Sequence, residues 1–81
     1  MRTVAERWQE YEAALLDPID AGEVQRQEAR RAFYAGFYNA LMAFTEVANV
    51  SDDDDEAAKR MITALHVECH EFRDAVMAGR A

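Results

Sequence analysis

The chain lacks most of what holds a small protein together covalently. It has one cysteine, Cys69, so no disulfide can close within it. A reducing compartment is therefore the expected setting. Long hydrophobic runs are missing too: charged residues interrupt every window, and none approaches the roughly 18 apolar residues of a membrane span. The first twelve residues, MRTVAERWQEYE, lack the apolar block of a secretion signal. Positive charge is scarce, with 9 Lys and Arg against 16 Asp and Glu and a net charge of −7. That balance opposes binding to a nucleic-acid backbone, which needs clustered cations and gains affinity by releasing counterions. The expectation is a cytoplasmic protein with no membrane partner and no nucleic-acid ligand. At 81 residues, a single core contributes only about 3–5 kcal/mol of net stability. With no disulfide and no metal motif to add to it, self-association is the expected support.

What is present is helical periodicity. The stretch 30–48, RRAFYAGFYNALMAFTEVA, carries apolar residues on more than one side. Phe33, Phe37, Ala40, Leu41, Phe44 and Ala48 form one stripe, and Tyr34, Tyr38, Met42 and Thr45 form a second beside it. A third row, Ala29, Ala32, Gly36, Ala40 and Ala43, is nearly free of side chain, which would admit another helix close to the backbone. One small helical domain cannot easily cover all three.

Three helices are expected, over about 4–16, 21–48 and 54–78 of a single domain. Thr3 and Glu6 make a capping box for the first, and Val4, Trp8, Tyr11 and Leu15 share its buried face. Asp17-Pro18 stops it. Asp20 and Glu23 make a second capping box, with Ile19 and Val24 as a hydrophobic staple. Ser51 or Asp53 is expected to cap the third helix. In that helix Ala58, Ile62, Leu65, Cys69, Phe72 and Val76 repeat as a heptad-like seam, and Gly79 closes it. The fold class is all-α: an antiparallel helical hairpin of two long helices with a short N-terminal helix across one end, completed by oligomerisation.

Chemistry is hard to find. The acidic run 52–56, DDDDE, lacks the spacers and glycine of a calcium loop and suits a first helical turn, where carboxylates offset the dipole. His66 and His70 share a face, but no second ligand pair stands at a recognisable zinc spacing. Cys69 has no paired base, and its seam position predicts a buried, inert thiol. Glu68, Glu71 and Asp74 resemble half of the acidic magnesium site of all-helical nucleotide pyrophosphatases, whose second acidic cluster this chain lacks. No catalytic residue, cofactor or metal is assigned. The remaining arrangement is Arg30, Arg31, Phe33, Tyr34, Phe37, Tyr38 and Asn39, to which Arg26 lies close. Arginine forks hold phosphate and aromatic faces stack on bases, so the group could hold a nucleotide between protomers. The same mixture also anchors protein interfaces, and that is the favoured reading.

The motif at 30–36, RRAFYAG, with LHVECHEF at 65–72, resembles small helical proteins of tailed bacteriophages and prophages. Phe37 departs from the alanine often found after the glycine in that motif. The resemblance covers roughly residues 19–76 and implies phage origin, a helical fold and residence in the host-cell cytoplasm, with no ligand or catalytic residue to carry over. The resulting expectation is a non-enzymatic accessory protein that binds a host protein, such as a defence or regulatory component, stoichiometrically. Two other readings stand beside it: an oligomeric sponge for a nucleotide signal, and a metal-dependent nucleotide hydrolase using Glu68, Glu71 and Asp74.

Overall fold

A computed structural model describes residues 1–50 and 54–81. Every regular element among them is helical: α1 (Val4–Tyr11), continued by a π-helical turn (Glu12–Leu16), then α2 (Glu23–Val50) and α3 (Asp55–Met77). The chain divides into two compact units, Met1–Met42 and Ala43–Ala81. No helix among the described residues is long and apolar enough to cross a membrane.

In the first unit α1 starts as the sequence predicts. The Thr3 hydroxyl accepts from the Glu6 N–H at 3.1 Å and the Glu6 carboxylate accepts from the Thr3 N–H at 3.0 Å. The Thr3 backbone N–H, and after it the Thr3 side chain, hold the Glu6 carboxyl below its ordinary pKa. The expected buried face is corrected further on. Trp8 is buried, but Leu15 is exposed and Leu16 is buried in its place. The π turn explains the exchange: Asp17 N–H donates to Glu12 C=O, five residues back, so the turn holds an extra residue and the register slips by one.

A turn follows in which Asp20 adopts φ 50, a left-handed conformation that Asp tolerates. Gly22 C=O accepts from Arg26 N–H, so Gly22 rather than Asp20 stands at the start of α2. Ile19 and Val24 are both exposed, and the expected staple is not formed. The core of this unit is Trp8, Leu16 and Ala21, with Ala29, Phe33 and Tyr34 of α2 packed against it. The short N-terminal segment thus folds back on α2 as expected.

The second unit contains the last residues of α2 and all of α3. The expected caps Ser51 and Asp53 lie outside the described residues. Asp54 caps α3, its carboxylate accepting from Ala57 N–H at 3.0 Å. At the other end Gly79 has φ 76, Gly79 N–H donates to Val76 C=O, and Arg80 N–H donates to Ala75 C=O. This is the Schellman pair that a C-terminal glycine permits. Between the ends, Val47 is buried, and it lines a depression with Met61, Ala64 and Leu65. Ala58 and Ile62 of the seam are half-buried, whereas Cys69, Phe72 and Val76 are exposed. The buried thiol expected at Cys69 is therefore corrected, because the depression beside Val47 reaches along the seam only as far as Leu65.

Candidate site on helix two

Three rings set the orientation of α2 in the first unit. Trp8 lies 5.6 Å from Phe33 and 5.8 Å from Tyr11, and Tyr11 lies 5.3 Å from Phe33, centroid to centroid. Trp8 and Tyr11 stack, while the edge contact of Trp8 with Phe33 and the tilted contact of Tyr11 with Phe33 suit the ring quadrupoles. Phe33 is thereby turned towards the core and is half-buried. With Phe33 fixed, its helix neighbours Arg30 and Arg31 are carried to the exposed side, and the half-buried Tyr34, itself packed against the core, borders them.

Arg26, which the sequence groups with Arg30 and Arg31, is engaged elsewhere. Its Nε donates to Ala21 C=O at 2.7 Å, and its Nη1 reaches Asp17 Oδ1 at 2.7 Å and Glu12 Oε2 at 3.2 Å. Asp17 first and Glu12 second push its pKa above its already high ordinary value. This arginine clamps the turn between the π segment and α2, and its charge is neutralised. Sequence grouping failed because both carboxylates lie across a turn, 9 and 14 residues away.

Arg30 and Arg31 differ. Neither has an ion pair among the described residues. The Arg30 guanidinium stands 5.7 Å from the Tyr34 ring centroid, within cation–π range. Gln27, Arg30, Arg31 and Tyr34 line a depression of 340 Å³. Tyr34 also belongs to a second depression of 380 Å³, with Val4, Ala35, Phe37, Tyr38 and Leu41. The two share Tyr34, so a cationic half adjoins an aromatic half along one helix. Positions 27, 30, 31 and 34 have i, i+3, i+4, i+7 spacing, and 34, 37, 38 and 41 repeat it. Asn39 is exposed and lines neither depression. Val4 and Leu41, which the sequence assigns to apolar helix faces, also line the site, and Gln27 joins it at a position found by extending the same spacing one turn back.

Other chemistry-bearing side chains are dispersed. His66 and His70 are exposed, with ring centroids 6.2 Å apart. Among the described residues no three His, Cys, Asp or Glu side chains gather as a metal-binding set, and that includes Glu68, Glu71 and Asp74. No protein-family model, no curated protein and no solved structure matches this chain.

Proposed function

We propose that the chain is a phage or prophage accessory protein that works in the host-cell cytoplasm by stoichiometric binding, not by catalysis. Its partners on this reading are proteins: a second copy of itself, and a host component of defence or regulation. On this reading association through α2 completes the fold. The observation that carries the reading is apolar surface left uncovered on α2. Phe44 is 54 % exposed and Tyr38 is 65 % exposed, with Met42 exposed between them. Aromatic and methionine side chains are enriched in the anchoring centre of protein interfaces.

The test is light scattering at two protein concentrations, on the wild type and on Phe44→Glu. A dimer or larger assembly is expected for the wild type. Burying an unpaired carboxylate at the contact should weaken association by roughly 100-fold or more, as a charge left without a partner does. A wild type that remains monomeric at both concentrations overturns the self-association part of the reading. A second reading, sequestration of a nucleotide, is favoured by a separate observation: the unpaired Arg30 and Arg31 beside Tyr34.

A further inference from the structure

We infer that the joined depressions on α2 form a nucleotide site within a single chain, with phosphate held at Arg30, Arg31 and Gln27 and the planar base against Tyr34 and Tyr38. The inference deepens the sequestration reading and does not depend on association, since every lining residue belongs to the first unit.

Charge complementarity gives the ligand its sign. In a chain of net charge −7, anions are repelled at long range, and most cations are neutralised locally: Arg2 by Glu10, Arg26 by Asp17 and Glu12, Lys59 by Glu56, Arg60 by Asp54 and Arg73 by Asp74. Arg30 and Arg31 are adjacent, unpaired and in a concavity. Each guanidinium fork can donate charge-assisted hydrogen bonds to phosphate oxygens, and both arginines line the same depression although adjacent helix positions point apart. The Gln27 amide, one turn back on the same face, supplies a neutral donor.

Shape and lining give the rest of the ligand. The second depression has an aliphatic wall from Val4 and Leu41 and aromatic faces from Tyr34, Phe37 and Tyr38. Tyr38 projects 65 % exposed at its edge, as a stacking platform does before its ligand is bound. At 340 and 380 Å³ the two depressions are shallow and open to solvent, so a ligand there lies along the helix face and is not enclosed. A free inorganic anion would use only the cationic half, and an apolar compound only the other. A nucleotide uses both.

The experiment titrates the full chain into N-methylanthraniloyl-labelled ADP at low ionic strength and follows fluorescence anisotropy, with unlabelled ADP, adenosine and inorganic pyrophosphate as competitors. Saturable binding is expected, with ADP displacing the label and adenosine and pyrophosphate each at least about tenfold weaker. Arg31→Gln should weaken binding roughly 10- to 100-fold, the range for a charge-assisted hydrogen bond. Tyr38→Ala should weaken it about tenfold. Both side chains are exposed, so the aromatic core is untouched, and circular dichroism checks that helicity is retained. Arg80→Gln, which removes a distant arginine with no ion pair, should leave binding unchanged. The proposal is overturned by no binding at about 1 mM nucleotide, by pyrophosphate competing as well as ADP, or by equal losses from Arg80→Gln and Arg31→Gln. Light scattering on the same samples keeps this result separate from the association reading.

Discussion

Residues 1–42 bury three side chains around an aromatic cluster, whereas the described residues of 43–81 bury one, Val47. Both units have amphipathic helical sequence, so periodicity does not explain the difference. Partner length does. In the first unit α1 and its π turn return along α2 and bring Trp8 and Leu16 to it. In the second, α3 has 23 residues, about 34 Å of helix, and the part of α2 in that unit spans residues 43–50, about 12 Å. Within that unit, eight residues can face about a third of such a helix. Phe72 is 64 % exposed, and the ends of α3 are held by its caps at Asp54 and Gly79. Local signals hold helix ends, but most helical stability in proteins comes from tertiary burial.

The widest gap between the units should appear on truncating their central side chains. Trp8 is 7 % exposed and touches both Tyr11 and Phe33. Trp8→Ala is expected to cost about 3–5 kcal/mol, comparable to the whole net stability of a domain this small. Val47→Ala removes the equivalent of two methylene groups and should cost about 1–2 kcal/mol. Urea denaturation of the two variants measures both. Equal losses would mean that the second unit has a core as developed as the first, and the comparison would fail.

A smaller effect, of opposite sign, sharpens the comparison within the first unit. A Cβ built on Gly36 meets nothing within 4 Å. Gly36→Ala is therefore expected to raise stability by about 1 kcal/mol through helix propensity alone, seen as a higher melting temperature with unchanged mass in light scattering. A variant that melts lower or dissociates would show that a second backbone crosses at the row Ala29, Ala32, Gly36, Ala40 and Ala43. That row is compatible with close approach by sequence, but the first unit does not use Gly36 for one.

What could be read in the sequence is what depends on near neighbours. The Thr3–Glu6 box, the Gly79 terminus and the three helices, whose ends fall within about two residues of expectation, are set by residues at most four positions apart. The grouping of exposed Arg30 and Arg31 beside Tyr34 follows from the same spacing. The errors have non-local or register causes. Leu16 replaces Leu15 because a π turn adds a residue that no hydrophobic pattern announces. Arg26 leaves the cationic group because Asp17 and Glu12 meet it across a turn. Phe33 packs towards Trp8 and Tyr11, a contact made across elements that helical spacing alone does not show. Cys69 is exposed because a heptad seam marks a surface that can be covered without showing how far its cover extends.

The smallest expected effect isolates a local anchor of the first unit from its core. Glu6 titrates below its ordinary value of 4.5 in the folded chain because the Thr3 N–H and hydroxyl favour its charged form. A carboxyl depressed on folding contributes stability that is fully present above its unfolded pKa and is lost as pH falls through the folded one. Glu6→Gln keeps an oxygen that can accept from the Thr3 N–H but removes the charge. The wild type should therefore exceed Glu6→Gln in stability at neutral pH, and the gap should close as pH falls below the ordinary value of 4.5 and through the lowered folded one. Thermal denaturation of both proteins at several pH values reads the gap directly. A gap that stays constant over that range would mean that the loss comes from side-chain packing and not from the charge. Amide exchange in the first turn of α1 should follow the same pH course while Trp8 and Phe33 remain packed, since the capping box and the aromatic core are separate supports of the same short helix.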